Sequence, residues 1–229
     1  ETVVNINAPQ TGSPAERLQG TNLLRDDLGV PIFVVNSELE ATACYGVRQP
    51  DTDTMRFWEV AGTSHTSIQG RAARQKLLDR DKLISNKVDP RINAIPINPV
   101  YDAVFYHMQQ WLKNGTMPPI VAKIEFEGTP PQPKRDPLGI AMGGIRLPQT
   151  EAPLAVNSAI PLSDDIFSLL GGSSAPFTRE KAMSLYSNKE AYLSTFKQAA
   201  DAALANGTIL PRALNELLLE ASETWDKLK

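Results

Sequence analysis

Cysteine and histidine are scarce in this chain: Cys44 is the one thiol and there are two imidazoles in 229 residues. A single cysteine excludes an internal disulfide framework, and with so few histidines the usual structural zinc sets are excluded too. Cys44 therefore reads as a small, half-buried hydrophobe and not as a nucleophile. Long apolar runs are also missing. None approaches the roughly 20 residues that span a bilayer, and the start lacks the basic and apolar stretches of a signal peptide. Excess positive charge is absent as well, since 23 Lys and Arg face 26 Asp and Glu, giving a net charge of -3. The basic residues are scattered among acids, which argues against nucleic acid as a partner, while the lack of a long apolar run argues against a membrane anchor. No motif for a metal or organic cofactor is visible, so none is expected.

The 41% apolar content is that of an ordinary globular protein with a real core. The chain opens on Glu1, so an upstream segment, removed or carried on another chain, is expected, and the compartment stays open. Asn114-Gly115-Thr116 and Asn206-Gly207-Thr208 have the form of glycosylation acceptors, but each reads better as a helix ending at Asn-Gly.

Along the chain, residues 1–28 are broken by Pro9, Gly12, Pro14 and Gly20 and read as loop with one short helix over 23–27. Residues 31–36 (PIFVVN) form a short, β-branched apolar run, the signature of a buried parallel strand. Residues 55–60 (MRFWEV) form a second strand after the turn Gln49-Pro50-Asp51. The stretch 70–82 reads as helical and 86–99 as a proline-broken loop. Residues 100–113 carry Val100, Val104, Met108, Trp111 and Leu112 at helical spacing, with Asn114-Gly115 as the stop. Two further strands are expected over 120–126 and 140–147, the second with a bulge or tight turn at Gly143-Gly144. A capping box at Ser187-Asn188-Lys189-Glu190 opens a helix to Ala205, and Pro211 starts another reaching Leu228.

The chemistry is expected where these strands end. In a Ser-His-acid hydrolase of the α/β type the chain order is serine, acid, histidine, with the last two on loops after late parallel strands. Glu40 follows the first strand in Asn36-Ser37-Glu38-Leu39-Glu40, and His65 follows the second in Ala61-Gly62-Thr63-Ser64-His65. Both emerge at the carboxyl edge of the sheet, where open parallel sheets collect functional groups. His65 would take and return the serine proton, while Glu40 would fix its tautomer. Glu38 is the alternative acid: read as extended, the two glutamates point the same way. His107 falls near the apolar stripe of its helix and reads as a core or boundary residue.

The stretch from Val30 to His65, with Arg48-Gln49-Pro50-Asp51-Thr52-Asp53 and Phe57 to His65, is similar to the "alpha/beta hydrolase domain" family of esterase-like proteins. Gly143-Gly144-Ile145-Arg146-Leu147-Pro148 and the helical tail resemble that family too. The resemblance implies an α/β-hydrolase fold and carboxylic ester hydrolysis. On this reading the chain is the C-terminal part of such a fold, with residues 1–117 as half of the core and 118–229 as accessory strands and helices packed on it.

The chain departs from the pattern at the nucleophile. No G-x-S-x-G occurs, and the nearest imitation, Gly171-Gly172-Ser173-Ser174-Ala175, comes after the histidine and before Pro176. The first expectation is therefore a Ser-His-acid esterase acting on a small-molecule ester, with the serine and oxyanion hole on an N-terminal hydrolase segment or second chain. The second is a non-catalytic module of the same fold used for binding or scaffolding. A third takes the Ala- and Leu-rich C-terminal helices as an independent interaction module.

Overall fold

The computed structural model describes residues 23–83, 91–160 and 170–229. At its centre two parallel strands, β1 (Ile32–Ser37) and β2 (Met55–Val60), pair in register from Ile32 opposite Met55 to Ser37 opposite Val60. Between them run helix α1 (Glu38–Ala43) and a 3-10 turn over Tyr45–Val47. All six residues of β2 are buried, as expected of a strand covered on both faces. That burial includes two charges. Arg56 donates from Nε to the carbonyl of Pro118 at 2.8 Å, and Glu59 forms a two-pronged pair with Arg48, so neither is left without partners.

The second edge of β2 meets the segment around Ile145. Val60 and Ile145 form an isolated parallel bridge, with the N–H of Ile145 donating to Glu59 O at 2.7 Å and that of Ala61 to Ile145 O at 3.0 Å. Gly144 makes this approach possible. Its φ is +68°, and a Cβ there would lie 2.7 Å from Ile124 Cγ1 and 2.9 Å from Glu59 O, too close for any side chain.

The two strands expected over 120–126 and 140–147 are thus not continuous. They touch at the antiparallel bridge between Ile124 and Gly143, while Phe126–Glu127 (β3) pairs with Gln132–Pro133 (β4) of the Pro-rich connection. The second segment also bridges Arg135 through Ala141, and the consecutive left-handed glycines Gly143 and Gly144 then turn it toward β2. The short helix expected over 23–27 is absent as well, and Arg25 and Asp27 form a local ion pair there instead.

Helix α2 (Ile68–Arg80), capped by the Ser67 side chain, buries none of its residues. Helix α3 (Asn98–Asn114) starts with a proline in its first turn and stops at Gly115 with φ 70°. It turns Val100, Ala103, Val104 and Trp111 inward, but Leu112 faces solvent, because the helical stripe passes through its neighbour Trp111.

After a turn of helix, α4 (Pro148–Glu151), the hairpin β5 (Ala155–Ser158) and β6 (Ser173–Pro176) precedes three helices, α5 (Arg179–Leu185), α6 (Lys189–Ala205) and α7 (Pro211–Asp226). Asn188, not Ser187, caps α6, its side chain accepting from the N–H of Ala191 at 2.8 Å. Asparagine in the extended conformation one residue later satisfies the same orphan donors. Lys189 pairs with Asp226 at 2.7 Å and Tyr192 stacks on Trp225 at 5.3 Å, so α6 and α7 lie antiparallel. A single apolar cluster runs from Trp58 through Val100 and Leu147 to Phe196 and Trp225. No helix among the described residues is long and apolar enough to cross a membrane.

Candidate active site

The carboxyl ends of β1 and β2 place the two candidate acids and the candidate base side by side. Ser37, the last residue of β1, is also the N-cap of α1, so Glu38 and Glu40 stand in the first turn of a helix and not on an extended segment. Two positions apart on a helix, side chains diverge by about 200°. The pair is thereby split: Glu38 turns inward and is fully buried, while Glu40 turns toward His65.

Glu40 Oε2 accepts from the backbone N–H of Ser37 at 3.1 Å and from the Ser37 hydroxyl, which fixes the carboxylate's rotation. Its other oxygen, Oε1, accepts from Nδ1–H of His65 at 2.6 Å. A proton held on Nδ1 leaves Nε2 as the basic nitrogen of the neutral ring. The imidazole is 54% exposed, so that face is open to an incoming group.

Glu38 does different work. Its Oε2 accepts from the N–H of Gly62 at 2.7 Å and its Oε1 from Arg135 Nη2 at 2.7 Å. Gly62 opens the loop that carries His65, with φ +73° and only 3.0 Å between a hypothetical Cβ and Ile95 Cδ1. The same loop is held by Asn93, whose Nδ2 donates to Gly62 O at 2.6 Å, and by Thr66, whose N–H donates to Leu170 O at 2.9 Å. Glu38 is thus a buttress of the histidine loop and makes no contact with the ring.

Removing the buttress and removing the acid should have opposite signatures. Glu38→Ala leaves Arg135 half-sheltered without its charge partner and Gly62 N–H unpaired, an expected loss of about 3 kcal/mol in urea unfolding. Glu40→Gln keeps an oxygen for the helix cap and should stay within about 1 kcal/mol of the parent. Equal losses for both substitutions would contradict this division of roles.

Tyr101 on α3 lies near the pair: burial raises its phenol above the ordinary range, and the negative charge of Glu40 raises it further. Cys44 is half-buried and shifted upward by the same two causes in the same order, which disfavours the thiolate needed of a nucleophile. His107 sits away from this edge, its Nε2–H donating to Gly207 O at 2.8 Å and its ring set edge-on to Trp58 at 5.8 Å.

Ser64, next to His65, is buried and donates to Thr66 O at 3.1 Å. Ser173 lies in β6 and donates to Ile160 O at 2.7 Å, on an antiparallel hairpin and not on a strand-to-helix elbow.

Sequence reasoning did not find Arg135 or Arg48. Arg135 lies 97 residues from the glutamate it holds, and nothing local marks it. For Arg48 a signal existed: Glu59 stands in a strand whose one cation, Arg56, lies three positions earlier and so on the opposite face, which demands a cation from elsewhere.

A family model described as alpha/beta hydrolase domain matches residues 3–218. Comparison with curated proteins and with solved structures gives no match.

Proposed function

The chain belongs to the alpha/beta hydrolase domain family, a hydrolase family, and from that premise we propose that it bears the histidine and acid of a Ser-His-acid esterase. The observation that carries this reading is the 2.6 Å hydrogen bond from His65 Nδ1 to a Glu40 carboxylate already fixed by Ser37. Nε2 of His65 is the general base, taking the proton of an attacking serine and returning it to the departing alkoxide. Glu40 holds the tautomer and stabilises the imidazolium that forms.

The serine comes from an N-terminal hydrolase segment or a second chain. Two features support this. No G-x-S-x-G occurs in the sequence, and β1 pairs only with β2 among the described residues, so its outer edge is free to receive an earlier strand. The substrate is a small-molecule ester, with the acyl pocket and oxyanion amides completed by that partner segment.

A fluorophosphonate, which phosphonylates an activated serine, tests the assignment, with the labelled residue identified by peptide mass spectrometry. The 229-residue chain alone should remain unlabelled, while an assembly containing the partner segment should be labelled on the partner's serine in a His65-dependent manner. Labelling of the isolated chain, at Ser173 or elsewhere, would refute the split arrangement. An assembly that binds esters but never labels would make it a non-catalytic binding module.

A further inference from the structure

A cavity of about 560 Å³ opens between the β5–β6 hairpin and the paired helices α6 and α7. Its volume is within the range of small-molecule sites, on the order of 300–1,000 Å³. The hairpin supplies one wall in register: Ala155 is opposite Pro176 and Asn157 opposite Ser174, so these four side chains share one face of the sheet, and all four line the space. Tyr192 and Phe196 of α6, both almost wholly buried, add an aromatic wall. The charged residues of the lining, Glu220, Lys227 and Lys229, are all exposed and belong to the last turns of the chain, so charge is confined to the mouth.

The polar side chains of the lining divide into engaged and free ones. Thr178 caps α5 by accepting the N–H of Lys181 at 3.2 Å, and Thr224 donates its hydroxyl to Glu220 O at 2.7 Å. Asn157 is only 6% exposed, and its Oδ1 accepts the N–H of Ala94 at 3.2 Å. Its Nδ2 and the hydroxyl of Ser174 across the ladder make no hydrogen bond with any described residue, yet neither atom is sealed from a water molecule. Directly opposite residues of an antiparallel pair hold their Cβ atoms about 5 Å apart, so these two groups can converge on one bound atom. An amide N–H only donates, and one that leaves bulk water without a partner loses its hydration with nothing in return. The complement of this pair is therefore an acceptor.

We propose that this cavity binds a small, uncharged molecule with an apolar, preferably aromatic body and a carbonyl oxygen, held by hydrogen bonds from Asn157 Nδ2 and Ser174 Oγ. A carbonyl oxygen has two lone pairs and accepts both bonds at once. A hydrocarbon leaves both donors unpaired. A carboxylate fits less well, because the cations of the lining, Lys227 and Lys229, are exposed at the mouth and do not offset the desolvation of a charge held deep against the hairpin. Tyr192 and Phe196 favour a flat body. The site stands on its own geometry and does not depend on the esterase reading.

Acetophenone and ethylbenzene, similar in size and differing at the carbonyl, are the probes, with benzoate as the anionic control. Titrated into the full chain and followed by proton–nitrogen correlation spectra, acetophenone should shift the Asn157 side-chain amide saturably in the millimolar range. Ethylbenzene should bind about tenfold more weakly and move that resonance far less. Ser174→Ala removes one donor and should weaken acetophenone about fivefold. Asn157→Asp keeps an acceptor for the Ala94 N–H and, ionised in mildly alkaline buffer, turns the other donor into a repelling oxygen; it should weaken acetophenone about tenfold or more. Both variants should leave ethylbenzene within about twofold. No saturable shift with acetophenone would mean that the cavity holds water only. Undiminished acetophenone binding in either folded variant would mean that its donor reads nothing, and benzoate binding as tightly as acetophenone would refute the preference for an uncharged group; each of these overturns the proposal. Should the variants fail to fold, the parent alone decides, by whether acetophenone binds more tightly than ethylbenzene and moves the Asn157 amide where ethylbenzene does not.

Discussion

Replacing His65 with alanine in the complete assembly is expected to lower kcat on a simple aryl ester by about 10⁵- to 10⁶-fold, the scale seen when the base of a serine triad is removed. The magnitude follows from the position of the ring. Nδ1 is engaged by Glu40 at 2.6 Å, which leaves Nε2 as the open nitrogen that the proposed mechanism uses as base. KM should change little, because the imidazole acts on the proton and not on the ester's body. The fold should change little, since the ring is 54% exposed and stands outside the apolar core clusters. Glu40→Gln should cost less, on the order of 10⁴-fold, through the wrong tautomer. Cys44→Ala and His107→Gln should stay within a few-fold, the second because its ring serves Gly207 and Trp58 in the core. Steady-state kinetics on purified variants checks all four, and a His65→Ala enzyme within tenfold of the parent would remove His65 from the mechanism.

The parts of this site that could be read from sequence are those fixed by local pattern. The run Ile32 to Val35 has no polar residue to place on a solvent face, so a parallel strand was legible, and with it the placement of His65 just beyond the next strand; the full burial expected of that run is not reached, and Ile32 to Val35 are half-buried because β1 pairs only with β2 among the described residues. The choice between Glu38 and Glu40 was not, because it depends on conformation. On an extended chain the two share a face; on a helix they oppose. The deciding signal was nonetheless present: Ser37-Glu38-Leu39-Glu40 is itself a capping-box pattern, with serine at the cap and glutamate three positions on. Where the sequence misled, at residues 120–126 and 140–147, apolar content was right but the pairing was set elsewhere. Ile124 and Ile145 are both buried, yet one bridges Gly143 and the other bridges Val60. Such partners are chosen by three-dimensional proximity, which periodicity does not encode. Leu112 likewise satisfied a spacing rule and still faces water, since Trp111 occupies the inward position.

The largest stability effect should come from Arg48→Met, an expected loss of about 3–5 kcal/mol. Glu59 is fully buried in the middle of the core sheet, where an unpaired carboxylate has no access to water. Arg48 meets it with two parallel bonds, Nε to Oε1 at 2.7 Å and Nη2 to Oε2 at 2.6 Å, and reaches on to Ile124 O at 2.8 Å. Ile124 answers by donating its N–H to Glu59 Oε2 at 2.8 Å, so the pair also clamps the segment after α3 onto β2. Phe126 and Tyr45 flank the guanidinium at 5.0 and 5.4 Å, adding cation–π attraction. Removing the arginine alone leaves the charge stranded. Removing both, as Arg48→Met with Glu59→Met, should recover most of the loss, with a residual of about 1–3 kcal/mol because Ile124 N–H then has no acceptor. Urea unfolding of the two single variants and the double variant closes the cycle. A single-variant loss below about 1 kcal/mol would show that the pair behaves as a surface bridge despite its burial. The consequence reaches the histidine loop by a short path. The clamped segment leads through β3 and β4 to Arg135, Arg135 holds Glu38, and Glu38 holds Gly62 at the root of the loop that carries His65. Arg48→Met should therefore lower the esterase rate of the complete assembly at temperatures where the fold is still intact, whereas the double variant should restore it.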